Sequence, residues 1–171
     1  MTYDSEADTR RHIATVERAL LWCAAELMRR AARHDASKLG PPEKAMFDEW
    51  TPRLDEAEYG SPAYRDALEA MGPALAHHYA ANDHHPEHFG VPARRSPSPE
   101  VAPIGGIFGM DLLQLVEMMC DWWAAGQRPG GIPLAESVAR NAERFRYLPG
   151  GELERVLANT AASLEAGVRQ G

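Results

Sequence analysis

The sequence predicts an all-α protein, a single-domain bundle of about five to seven helices. Apolar residues recur at spacings of three and four through most of the chain, the period of a helix face. No stretch of any length alternates apolar and polar residues as a half-buried strand would. Glycine and proline then cut the chain into helix-length pieces. At 171 residues, residues 1–171 are expected to form one domain on a prior of roughly 100–200 residues per domain, with a long loop at about 82–109.

The first piece, Asp4 to Arg33, reads as one long amphipathic helix. Ile13, Val16, Leu20, Cys23, Leu27 and Ala31 form a stripe expected to be buried, and no Gly or Pro interrupts it. A short loop carrying His34-Asp35-Ala36-Ser37-Lys38 follows. Gly40-Pro41-Pro42 punctuates the chain before a helix from about Glu43 to Trp50. Ser61-Pro62 opens a third helical stretch, which Gly72-Pro73 breaks near its middle; its second half carries Leu75, His77, His78 and Tyr79. From Asn82 to Gly109 the periodicity vanishes among prolines and glycines. A loop of this length inside a domain is usually functional or disordered, so its first part is read as site-forming and its Arg94–Ala102 tip as mobile. Met110 to Ala125 is the most apolar helix. Gly130-Gly131 and Pro133 lead into a helix to about Tyr147, and Pro149-Gly150-Gly151 into a last one ending near Gly167.

Composition narrows the function classes. A net charge of −7 disfavours a nucleic-acid polymer as partner, because a phosphate backbone is gripped by a Lys and Arg surplus. It leaves open a small phosphorylated substrate, since a bound cation supplies local positive charge. No apolar run approaches the roughly 18 residues of a membrane span, and the polar start has no signal-peptide pattern. Cys23 and Cys120 are too few for a disulfide framework and fall in apolar helical patterns where buried thiols act as small hydrophobes. The expected location is the cytoplasm, and a homodimer is the base-rate assembly.

Five of the seven histidines fall between His77 and His88. Imidazole is the commonest metal ligand in proteins. The pairs His77-His78 and His84-His85 are separated by a helix end and can approach one point from different directions. Two or three of the five are expected as ligands, with His78, His84 and His85 the chosen set and the remainder as supporting partners. His34-Asp35 supplies a second contribution: adjacent residues reach one ion only where the backbone bends, as it can just past a helix end. Asp121 supplies a third. A carboxylate on the most apolar helix is costly unless paired or coordinated, and Glu117 one turn earlier adds a like charge that a cation between them would relieve. A divalent metal, one or two ions per chain, is therefore expected. Mn, Fe, Co, Zn and Mg all remain candidates.

His34-Asp35 with Lys38, paired histidines further on and an aspartate in a later helix resemble the HD superfamily of metal-dependent phosphohydrolases. The pairs His77-His78 and His84-His85 are similar to the extra histidines of its binuclear branches. The chain also resembles, over nearly its full length, a small family from bacteria and their phages. The shared features are the His-Asp-x-Ser-Lys loop, the Tyr59-Gly60-Ser61 turn, the His-His-Pro-Glu-His run at His84–His88, Gly109-Met110-Asp111-Leu112, Glu117-Met118, Cys120-Asp121-Trp122 and Asn159-Thr160.

The superfamily resemblance implies an HD-like fold and a hydrolase of phosphoric esters or anhydrides, acting on a nucleotide or another small phosphorylated metabolite through a metal-activated water. Lys38 would then neutralise charge on the transferring phosphoryl group, and Glu43 and Glu117 would position or deprotonate the water. It also implies a further ligand from the preceding helix, for which His12 is the one candidate. A straight helix, however, sets His12 about 33 Å from His34 at roughly 1.5 Å per residue. Two other readings stand beside hydrolysis. One is a di-iron oxygenase of the same fold, with Asp35 bridging. The other is a metal-stabilised binding or regulatory protein without turnover, in which Lys38 beside the metal loop would have no purpose.

Overall fold

The computed structural model describes residues 4–58, 61–90, 105–128 and 130–169. Among these residues are seven α-helices and no strand, so the protein is all-α. The chain divides into two compact units, Met1–His34 and Asp35–Gly171. The Arg94–Ala102 tip and the Tyr59-Gly60 pair lie outside the described residues. No helix among the described residues is long and apolar enough to cross a membrane.

The first unit is one helix, α1 (Glu6–Arg33). Its unbroken course follows from a sequence without Gly or Pro, and its ends complement the helix dipole: Glu6 and Asp8 in the first turn, Arg30 and Arg33 in the last. An Arg10–Glu6 pair at 2.6 Å spans one turn. The apolar stripe is present, but no residue of α1 is buried, and Ile13, Val16 and Leu20 are exposed. This corrects the expectation of a buried stripe. Periodicity marks a face; a lone helix has no second layer of its own to turn that face into a core.

The second unit begins where Asp35 takes a left-handed backbone conformation (φ 55°, ψ 14°) and turns the chain into a short 3₁₀ segment, Ala36–Leu39. Next comes α2 (Glu43–Glu56), which runs through Pro52 and past the end expected at Trp50. Proline there forfeits a single backbone donor, and the helix continues beyond it. Ser61 caps α3 (Pro62–Ala70) by accepting from the Tyr64 amide at 3.1 Å, with Pro62 in the first turn where its missing N–H costs nothing. Then α4 (Gly72–Ala81) follows through Met71, which is wholly buried. Two further 3₁₀ turns, Pro86–Phe89 and Gly106–Gly109, occupy the described ends of the long loop.

The core is built from the last three helices. Asp111 opens α5 (Leu112–Gly126) with a capping box, accepting from the Leu113 and Gln114 amides while Gln114 returns a bond to the Asp111 amide. On α6 (Leu134–Phe145), Leu134, Val138, Ala142 and Phe145 recur at spacings of four, four and three and are all buried. On α7 (Glu152–Val168), Leu157 and Ala161 do the same. These meet Met118, Met119 and Ile107 in one cluster, with Trp122 stacked on Phe145 at 5.8 Å between ring centres. Each large buried side chain contributes about 1.5–3 kcal/mol. A Cβ at Gly126 would stand 2.5 Å from the Ile132 carbonyl oxygen, so the turn between α5 and α6 closes only on glycine there. Trp122 and Trp123 pack against this core, whereas Cys120, expected inside, is exposed on α5.

Candidate metal centre

Three short segments of the second unit converge. Asp35 stands at its left-handed turn, a conformation that aspartate tolerates better than most residues. His78 lies on the buried face of α4, one turn after Ala74 and two after Met71. His84 and His85 follow the end of α4 at Asn82, held by a turn in which the His85 amide donates to the Asn82 carbonyl. One atom from each of Asp35, His78, His84 and His85 lies within 4.8 Å of the others. Asp35 Oδ1 is 3.4 Å from His78 Nε2 and 3.4 Å from His84 Nε2. His78 Nε2 is 2.9 Å from His85 Nε2. Around an ion with ligand bonds of roughly 2.0–2.1 Å, neighbouring ligand atoms stand about 3.4 Å apart in a tetrahedron and about 2.9 Å apart in an octahedron. The three spacings fall within the range those two geometries span.

Behind the ligand-type atoms stand carboxylates. Glu43, fully buried at the start of α2, takes His77 Nδ1 on one oxygen at 2.7 Å and His78 Nδ1 on the other at 2.9 Å, and Ser37 Oγ donates to it at 3.0 Å. Burial alone would raise the Glu43 carboxyl, but the bonds from His77, Ser37 and His78 outweigh it and hold it below the ordinary range. An ionised carboxylate only accepts, so His78 carries its proton on Nδ1 and its lone pair on Nε2, facing Asp35. Glu117 Oε1 stands 3.3 Å from His84 Nδ1 and orients that ring the same way. Asn82 Nδ2 donates to Ser37 Oγ at 2.8 Å and to the His78 carbonyl at 2.8 Å, closing the rear network.

Both Glu43 and Glu117, expected as water-handling groups, therefore hold histidines from behind. Lys38 Nζ donates to Asp35 Oδ2 at 2.6 Å and sits 5.0 Å from the centre of the Phe47 ring, so it grips the oxygen that faces away from the cluster. A carboxylate oxygen of Asp121 comes within 4.8 Å of one of Asp35's, and its charge is felt by His85 and Tyr79. His34 closes the first unit as the C-cap of α1, bonded directly to Asp35. His12 lies near the other end of that helix; since α1 is unbroken, His12 and His34 stand about 33 Å apart and do not share an ion within one chain. His77 is exposed on Glu43, and His88 Nδ1 binds the Tyr79 carbonyl at 3.0 Å, so neither belongs to the cluster. Ser37, the serine of the His-Asp-x-Ser-Lys loop, and Asn82, which carries no sequence signal beyond its place beside the histidine run, hold His78 from behind.

Burial lowers His78, with the Lys38 charge adding to it against the pull of Asp35 and Glu43. Burial and the neighbouring His84 and His78 push His85 down to about 3. The unfolded chain takes protons on these rings near pH 6.5 while the folded one does not, so stability is complete above that pH and is lost as pH falls below it. Acidifying the metal-free protein from pH 7 to pH 5 should lower its urea midpoint progressively, the unfolding free energy falling by up to about 1.4 kcal/mol per pH unit for each histidine. A midpoint that holds steady over that range would contradict neutral, buried imidazoles.

A helical protein with a buried histidine–carboxylate cluster is the class that fold and site define. The chain belongs to a family of unknown function, DUF5662, whose family model matches residues 1–167. No curated protein and no solved structure matches the chain.

Proposed function

We propose that this chain is a metal-dependent hydrolase of small phosphorylated compounds, with its ion held by Asp35, His78, His84 and His85. The observation that carries this reading is the convergence of three imidazoles and one carboxylate, one ligand atom from each within 4.8 Å of the others. Asp35 Oδ1 is 3.4 Å from the His78 and His84 Nε2 atoms, and the His78 and His85 Nε2 atoms are 2.9 Å apart. The donor set fits a borderline cation such as zinc, iron or manganese better than magnesium, which prefers oxygen. A divalent ion bound there would supply Lewis acidity, lowering the pKa of a water toward about 7 and withdrawing charge from a phosphoryl oxygen.

The chain's own groups supply the remainder. Glu43 and Glu117 fix which nitrogen of His78 and His84 faces inward. Lys38 holds Asp35 in place through Oδ2 and brings a positive charge to the rim, where an anionic substrate gains from it. Asp121, with a carboxylate oxygen within 4.8 Å of one of Asp35's, would hold a proton of the attacking water.

Elemental analysis of untagged protein should find one or two ions per chain, and loading with Mn, Fe, Co or Zn should give phosphate release from at least one nucleoside or sugar phosphate. A protein that takes up none of these metals sinks the reading altogether. Metal uptake with oxygen consumption and no phosphate release would replace hydrolysis by oxidation at the same cluster.

A further inference from the structure

Immediately after His85 the chain turns along a cleft of about 290 Å³. Pro86 and Glu87 line it on one side, and Arg144, Phe145 and Arg146 at the end of α6 line it on the other. We propose that this cleft is a second binding site, taking a small oxyanion (carboxylate or phosphate) apart from the metal cluster.

Charge is the first argument. Two guanidinium groups and one carboxylate line the cleft, so arginines outnumber acidic side chains along it in a chain whose net charge is −7. A concave surface that gathers guanidinium groups favours anions against the field of the whole molecule.

Preorganisation is the second. Arg144 Nη2 donates to Glu87 Oε1 at 2.6 Å, its guanidinium lies 4.9 Å from the centre of the Phe145 ring, and it is hydrogen-bonded to the Tyr79 hydroxyl. A guanidinium carries five N–H donors in one plane, and the hydroxyl and the ring keep that plane set when a ligand takes the place of Glu87. Arg146 ends α6 in the left-handed conformation (φ 59°, ψ 29°), an uncommon one for arginine, and from there it lines the cleft. Pro86 and Phe145 are buried and give the cleft an apolar floor, against which an ion pair is stronger than in open water.

The volume limits the ligand. Small-molecule pockets run from about 300 to 1,000 Å³, so the cleft admits a small metabolite and not a polymer. Glu87 sets the selectivity. Already seated on Arg144, it is displaced best by an anion that offers two oxygens to the fork. The Tyr79 ring, 5.1 Å from that of His85, places the cleft beside the metal cluster, but the inference needs no ion there.

Titration of the full chain with inorganic phosphate, and separately with acetate, followed by amide NMR, tests this. The expected result is saturable shifts confined to residues 86–90 and 143–147, alike in chelator-treated and metal-loaded protein. Comparing the two probes tells phosphate from carboxylate. Arg146→Gln should weaken binding at least tenfold, and Glu87→Gln, which removes the competing carboxylate, should tighten it several-fold; a merely structural Glu87 would not give tighter binding. Shifts seen only in metal-loaded protein would assign the anion to the ion and overturn the proposal. So would the absence of saturation at millimolar concentration, or equal binding by Arg146→Gln. Should Glu87→Gln fail to fold, Arg146→Gln, at an exposed position, decides alone. A cleft that binds anions in a chain that binds no metal would leave this inference standing and remove only the hydrolase reading.

Discussion

Asp35→Asn keeps the fold and lowers affinity for zinc or manganese by a hundredfold or more. Asparagine is among the few residues at ease in the left-handed conformation found at position 35, so the turn into the second unit survives the change. What it loses is the negative charge that stands 3.4 Å from both His78 Nε2 and His84 Nε2. Binding free energies of about 10–16 kcal/mol for four-ligand sites put each ligand at roughly 3 kcal/mol or more, which is the stated factor. Competition against a chelator of known affinity measures it, with circular dichroism as the check on folding. An affinity equal to that of the unaltered protein would place the ion somewhere other than this cluster.

Glu43→Gln produces the second large effect, and it acts through the ring of His78. The carboxylate accepts from His77 on one oxygen and from His78 on the other; an amide offers one acceptor and one donor in the same space. If the amide nitrogen faces His78, the ring must accept on Nδ1 and carry its proton on Nε2, turning a ligand atom into a donor aimed at Asp35. Loss of such a supporting partner typically costs about 10–100-fold in metal affinity. Glu43→Ala adds a folding penalty of about 1–3 kcal/mol, because His78 is buried and its Nδ1–H loses its carboxylate, whereas water replaces the partner of the exposed His77. Nitrogen-15 shifts of His78 in metal-free Glu43→Gln report the tautomer directly. A ring still protonated on Nδ1, with affinity unchanged, would reduce Glu43 to a packing residue.

Some of this was readable from the residues and some was not, for reasons that differ by element. Helix boundaries at Pro62, Asp111 and Gly126 follow from local chemistry of caps and turns, and they appear close to where the sequence places them. His78 is distinguishable from His77 because Met71, Ala74 and His78 share one helical face, so the period that marks a core also picks the inward-facing imidazole. The bend between His34 and Asp35 is likewise local, and it occurs at Asp35.

The orientation of Glu43 is not local. A glutamate in the first turn of a helix reads as a favourable charge at the positive end of a dipole, and only the packing of α2 on α4 brings it against two histidines 34 and 35 positions away. Pro52 shows the same limit in reverse, since the helix expected to end at about Trp50 runs through it to Glu56. The stripe on α1 was read as core because periodicity reports a face and says nothing of what covers it.

Glu117 and Met118 are neighbours on one turn of α5, one at the back of His84 and the other at the centre of the hydrophobic cluster. Any loosening of α5 against α6 and α7 therefore also shifts the support of His84. Under the proposed metal site, ion occupancy and core packing would be thermodynamically linked: a cation that binds only the ordered arrangement would tighten the α5–α7 layer by mass action, and a cavity cut beneath Met118 would weaken its hold without touching a ligand.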